Sequence, residues 1–184
     1  ERGIGMYNTA KKLAEDNGWF FASQFENSAN ADIHESTTAR EILADFAGAP
    51  LGYWVAGYGT GGTVTGVARA LRRERPDCKI VLSEPHNAAL LGSGLAQERH
   101  ADGSPTGSHP AWEPHVIQGW TPDFIPKVLQ ESIDREFFDE VRPVDGMQGM
   151  AMAQHLAAKE GILTGVSGGS TLTTAIEVAE NAPE

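Results

Sequence analysis

The 184-residue sequence predicts an α/β protein, with an open, mostly parallel sheet and helices on both faces. Short apolar runs suited to buried strands alternate with segments of helical period, and short glycine-rich links join them. The composition, 40% apolar and 21% charged, is that of a globular chain able to bury a core of ordinary domain size.

The first helix is predicted over residues 4–16, where Ile4, Tyr7, Ala10, Leu13 and Ala14 recur at helical spacing. Asn17-Gly18 supplies its C-terminal stop. Trp19-Phe20-Phe21-Ala22 reads as a short buried strand ending at Gln24, and residues 27–32 as a turn rich in Asn, Ser and Ala. Thr38-Ala39-Arg40-Glu41 has the pattern of a capping box, opening a helix that continues to about Phe46. Gly48-Ala49-Pro50 breaks it, and residues 51–56 form the next strand. A glycine-rich loop follows, then a helix over 64–74 stopped before Pro76, then a strand over 79–83 that ends at Glu84-Pro85. Strand, helix and strand with short links make a βαβ unit and a parallel pair. The polar stretch 99–114 reads as a surface excursion, and 119–126 as a turn-rich connection. Helices are predicted at 147–159 and 171–181, with a short strand at 162–165 between them.

The net charge of −11 argues against nucleic acid, whose phosphates call for a clustered excess of Lys and Arg. The one basic cluster, Arg69, Arg72, Arg73 and Arg75, reads as a solvated helix face. A single cysteine, Cys78, rules out an internal disulfide framework and reads as a small buried hydrophobe. No apolar run reaches the roughly 20 residues that span a bilayer. These features lead us to expect a soluble, cytoplasmic protein. The six histidines (His34, His86, His100, His109, His115 and His155) are scattered, without the spacing of a helical metal site.

Chemistry concentrates in Gly57-Tyr58-Gly59-Thr60-Gly61-Gly62-Thr63, placed between a strand and a helix. The free N–H groups and partial positive charge of a helix N-terminus favour an anion, and glycines let backbone approach a phosphate closely. Thr60 and Thr63 add hydroxyl donors. The spacing Gly57, Gly59, Gly62 also satisfies a dinucleotide fingerprint, with Glu84 placed as the ribose-binding acid, so a nicotinamide oxidoreductase is a rival. A Walker site lacks its lysine. Gly165-Val166-Ser167-Gly168-Gly169 fits a nucleophile elbow, but no His follows His155 to complete a hydrolase triad in the usual order.

Several motifs fall in one order. Gln24-Phe25-Glu26-Asn27-Ser28-Ala29-Asn30, the stretch from His34 to Ile42, and Gly59-Thr60-Gly61-Gly62-Thr63-Val64-Thr65-Gly66-Val67 come first. Glu84-Pro85, Pro114-His115, Ile117-Gln118-Gly119, Phe124-Ile125-Pro126 and Glu160-Gly161-Ile162-Leu163 follow. Together they resemble the cysteine synthase (O-acetylserine sulfhydrylase) branch of the fold-type II pyridoxal-phosphate enzymes.

The resemblance implies pyridoxal 5'-phosphate as cofactor, its phosphate on Gly59, Thr60, Gly61, Gly62 and Thr63. Gly119 would approach the cofactor ring through its backbone, and Gln24 would lie near the substrate carboxylate. The implied reaction replaces the acetate of O-acetyl-L-serine by sulfide to give L-cysteine, with a cystathionine β-synthase-type lyase as the nearest alternative. Relatives also imply a homodimer and a possible serine acetyltransferase partner. The family's Schiff-base lysine belongs to an N-terminal segment preceding the matched part, and Lys11, Lys12, Lys79, Lys127 and Lys159 do not sit in its context. The chain is therefore expected to be a fragment without that segment and the last strand, and inactive by itself. Residues 1–22 would be the tail end of a smaller domain, and 23–184 a large cofactor-binding domain. Trp120-Thr121-Pro122-Asp123 departs from the family's glycine-richer pattern, and Ser28 and Ala31 stand where prolines are usual.

Overall fold

Among the described residues, three parallel strands form the sheet, in the order β1 (Tyr53–Gly57), β2 (Lys79–Pro85), β3 (Glu140–Val144). Val55 pairs with Val81 and Leu82 with Val141. The computed structural model describes residues 3–183; Glu1, Arg2 and Glu184, which the two predicted domain spans include, lie outside the described residues. Seven helices accompany the strands among the described residues: α1 (Gly3–Asn17), α2 (Ala29–Ser36), α3 (Thr38–Asp45), α4 (Gly62–Glu74), α5 (Lys127–Asp134), α6 (Gly146–Glu160) and α7 (Val166–Asn181).

Strand alternation places helices on both faces of the sheet. Ile80 and Leu82 join Val64, Val67, Leu71, Leu90 and Leu129 in one buried cluster under α4 and α5. Ser83, one residue out of phase, meets Thr174 of α7 at 2.7 Å on the opposite face. Cys78 is buried beside β2, and burial pushes its thiol above the ordinary range, as suits an inert core position. The α/β class, the βαβ unit and the parallel pair are all present.

Several elements differ from expectation. Trp19-Phe20-Phe21-Ala22 makes no strand, and Trp19 and Phe20 are 64% and 90% exposed. A strand needs a neighbour to complete its ladder, and none of the described residues supplies one. Residues 162–165 likewise stay unpaired, with Leu163 exposed, and α7 starts five residues earlier than expected, at Val166 rather than Thr171. The predicted turn at 27–32 ends by Ser28. Asn27 Oδ1 accepts from the Ala29 N–H at 3.0 Å, and helix begins there.

The capping box does not close. Thr37 takes the N-cap position of α3 without a side-chain cap bond, and Thr38 Oγ1 bonds His34 Nδ1 at 2.9 Å instead. Neither α5 nor β3 is announced by the sequence pattern. Only eight residues long, α5 offers little periodicity, and β3 contains Pro143, which a sheet tolerates at an edge. The 99–114 stretch is less superficial than expected, since Ser104 and His109 are buried within it. Nor is the arginine cluster a free solvated face. Arg69 bonds Glu131 and Asp32, and Arg72 bonds Asp139, because α2, α5 and the start of β3 bring carboxylates opposite α4.

Candidate functional site

The loop from Gly57 to Gly62 leaves the C-terminal end of β1, where an open parallel sheet presents its binding crevice, and enters α4 directly. Gly61 holds φ of +86° at the N-cap, a left-handed conformation that disfavours any side chain. A Cβ there would also press within 2.5 Å of Leu129 Cβ in α5. The first N–H groups of α4 point out of the helix start without intrahelical partners, an arrangement suited to an anion. Thr63, the second residue of α4, is exposed at this opening.

Two further segments close on the loop. Gly119 contributes its carbonyl oxygen, which occupies the space a Cβ on Gly59 would need. The turn carrying Gly119 is tied down by the Thr121 N–H, which donates to the Tyr58 carbonyl at 2.8 Å. Trp120 lays its indole against Gly57. Thr121 adopts φ of +40°, unusual for a β-branched residue, while its carbonyl accepts from Trp112 Nε1 at 2.9 Å.

From the other side comes Asn30. Its Nδ2 donates to the Gln24 carbonyl at 2.8 Å and to Thr60 Oγ1 at 2.9 Å, and its amide lies over Gly62. Gln24, Gly59, Thr60, Gly61, Gly62, Thr63 and Gly119 are thereby brought to one rim, although Gln24 and Gly119 lie far from the loop in sequence. Sequence reasoning did not single out Asn30 or His34. His34 Nε2 meets Thr63 Oγ1 at 3.2 Å. Both belong to quoted motifs, yet nothing in their spacing announced a contact with a loop some thirty residues on.

Beneath the loop, the buried carboxyl of Glu84 accepts from Tyr58 Oη at 2.6 Å. It also accepts from the Leu91 and Gly92 N–H groups at 3.0 and 2.8 Å. Burial raises its pKa, and these donors oppose the shift. Tyr58 is pushed well above the usual phenol range by burial and then by the Glu84 charge. A carboxyl so enclosed cannot receive a ribose, so Glu84 leaves the dinucleotide reading without its acid. The Gly165 to Gly169 turn simply opens α7, with Gly169 packed against the Gly149 carbonyl of α6. Among the described residues there is no group of three His, Cys, Asp or Glu side chains placed to hold a metal. No helix among them is long and apolar enough to cross a membrane.

Comparison with known proteins places this geometry in context. Residues 5–184 match the family described as pyridoxal-phosphate dependent enzyme. An O-ureido-L-serine synthase of Streptomyces lavendulae is 45% identical over 175 residues, 95% of this chain and 48% of that protein. A cysteine synthase of Staphylococcus aureus is 36% identical over 176 residues, 96% of this chain and 50% of that protein. The crystal structure of an O-ureido-L-serine synthase superposes with a TM-score of 0.85 at 44% identity, covering 99% of this chain and 51% of that one. The chain thus spans about half the length of the curated relatives it matches.

Proposed function

Because the chain belongs to the pyridoxal-phosphate dependent enzymes, we propose that the whole protein catalyses β-replacement on an O-activated L-serine. In the first reading the substrate is O-acetyl-L-serine and the nucleophile is sulfide, giving L-cysteine and acetate. The observation that carries the proposal is the loop from Gly57 to Thr63, set at the C-terminal end of β1 and the start of α4 and closed by Gly119. The family's cofactor is pyridoxal 5'-phosphate, and the cradle suits a phosphate monoester. The Gly62 N–H donates to Thr60 Oγ1 at 3.3 Å, the N–H groups that follow at the start of α4 suit an anion, and Thr60 and Thr63 bring hydroxyls. A Cβ on Gly59 would meet the Gly119 carbonyl, and one on Gly61 the Leu129 backbone.

Gly59, Thr60, Gly61, Gly62 and Thr63 hold the phosphate in this reading. Gly119 borders the ring through its backbone, and Gln24 offers its amide to the substrate carboxylate. Asn30 sets the distance between Gln24 and Thr60, and Thr121 fixes the Gly119 turn to Tyr58. When bound, the cofactor supplies an electron sink for the amino acid's α-carbon. The protein's share is to orient substrate and cofactor and to keep the loop rigid through the Tyr58–Glu84 bond.

None of this chain's lysines serves as the cofactor's covalent anchor in this account. Lys12 pairs with Asp16, Lys79 with Asp139, and Lys127 Nζ donates to the Asp102 carbonyl. The anchor would come from the part of the protein that relatives have beyond these residues. Residues 1–22 would belong to a smaller domain, and the whole protein would act as a cytoplasmic homodimer able to meet a serine acetyltransferase.

The identity of 45% to an O-ureido-L-serine synthase, against 36% to a cysteine synthase, favours a second reading in which the product is O-ureido-L-serine. Mass spectrometry on reactions of the holoenzyme decides. L-Cysteine formed from O-acetyl-L-serine and sulfide as the main turnover supports the first reading. O-Ureido-L-serine as the main product supports the second. Absence of a borohydride-bleachable visible band would remove both.

A further inference from the structure

After β2 the chain runs past Leu90 to Arg99 and, with α5, borders a cavity of about 510 Å³. Leu90, Leu91, Leu95, Ile125, Ile133 and Phe138 give it an apolar lining. Three polar side chains in that lining form a chain of bonds. Arg99 Nη2 donates to Gln130 Oε1 at 2.7 Å, and Gln130 Nε2 donates to Asp134 Oδ1 at 2.8 Å.

Arg99 is half-buried and carries an unbalanced charge. Its other bonds go to neutral carbonyls, Gly103 at 3.0 Å and Ile125 at 2.8 Å. Among the described residues no carboxylate lies within ion-pair distance of it, and two of its five donors remain unused. Burial presses its pKa down, against the pull of the Asp134 charge. An anion beside Arg99 would relieve that cost. At the far side of Gln130 stands the exposed carboxylate of Asp134, which calls for a cation.

The amide bridges the two charged groups, 2.7 Å from Arg99 and 2.8 Å from Asp134. Its O and N are roughly 2–3 Å apart, about the span between ammonium nitrogen and carboxylate oxygen in an α-amino acid. A zwitterion can therefore lie beside Gln130, with its carboxylate on the unused Nε and Nη1 donors of Arg99 and its ammonium on Asp134. Its side chain would enter the apolar part of the cavity. We propose that this cavity is a binding site for an α-amino acid with an apolar side chain, separate from the Gly57 to Thr63 site. On α5, Gln130, Ile133 and Asp134 share the face that lines it, whereas Leu129 packs against Gly61. The proposal does not depend on the pyridoxal-phosphate reading.

Calorimetric titration of the protein with L-leucine, 4-methylpentanoate and 3-methylbutylamine tests it. Leucine should bind with Kd of about 0.1–1 mM, and each analogue at least about tenfold more weakly. Asp134→Asn, at an exposed position, should erase the preference for leucine over 4-methylpentanoate. Arg99→Gln should abolish binding of both carboxylates, with circular dichroism checking that the loop carbonyls tolerate the change. No saturable heat with leucine up to about 10 mM would overturn the site, as would leucine binding no tighter than both analogues. A leucine preference that survives Asp134→Asn would overturn it too. The titrations read the same with pyridoxal phosphate present, so failure here leaves the β-replacement proposal standing.

Discussion

The carbonyl oxygen of Gly119 occupies the space where a Cβ on Gly59 would stand. Residues sixty positions apart are thus in backbone contact at the mouth of the loop from Gly57 to Gly62.

That contact leaves no room for a side chain at Gly59. Gly59→Ala should lower pyridoxal-phosphate affinity by at least about tenfold in a fluorescence titration, since one methyl displaces the Gly119 turn. Gly107→Ala, where nothing lies within 4 Å of the added carbon, should leave affinity unchanged.

Asn30 clamps the loop from the opposite side. Asn30→Ala removes its bonds to Thr60 Oγ1 and the Gln24 carbonyl and should weaken cofactor binding by about 5- to 10-fold, at roughly 1 kcal/mol. Asn30→Asp should weaken it further, by setting a carboxylate beside a bound dianion. The same fluorescence titration orders the three proteins.

The Tyr58–Glu84 bond gives a stability signature that depends on pH. Burial raises the Glu84 pKa, so the folded state holds a proton more tightly than the unfolded chain. The stability linked to this raised pKa is fully present below the unfolded carboxyl value and is lost as pH rises through the folded one. The Tyr58 bond, which favours the charged form, offsets part of that loss. Tyr58→Phe deletes the donor that favours the charged carboxylate. Urea unfolding should show a loss of about 1–3 kcal/mol at about pH 7 and a smaller loss at about pH 5, where Glu84 is closer to neutral. An equal loss at both values would mean that the bond does not carry the ionised form.

Ion pairs around α4 should separate by exposure. Arg69, whose side chain is 18% exposed, bonds Glu131 through two nitrogens and also reaches Asp32 and Glu35. Its replacement by Met should lower stability by about 1–2 kcal/mol in urea unfolding. Arg73→Met, at 53% exposure, should leave the midpoint unchanged.

Much of this architecture was legible in the residues. Helical period located α1, α4 and α6, glycines beside an apolar run located β1 and the loop, and the apolar run before Glu84-Pro85 located β2. The segments that failed are those whose conformation depends on partners rather than pattern. Trp19 and Phe20 have strand-forming side chains but no neighbouring strand among the described residues. The edge strand β3 hid behind Pro143, and α5 behind its brevity. At the site, local chemistry announced Gly59 to Thr63. The roles of Asn30 and Glu84 could not be read, since each follows from a contact across at least 26 residues of chain.

Comparing pyridoxal 5'-phosphate with pyridoxal, which lacks only the phosphate, tests the central claim most directly. Equilibrium titration of the protein and its Gly61→Leu variant should show a phosphate preference of at least about 100-fold in the first and nearly none in the second. Equal affinity of the unaltered protein for both compounds would contradict the claim that the loop from Gly57 to Thr63 holds a phosphate.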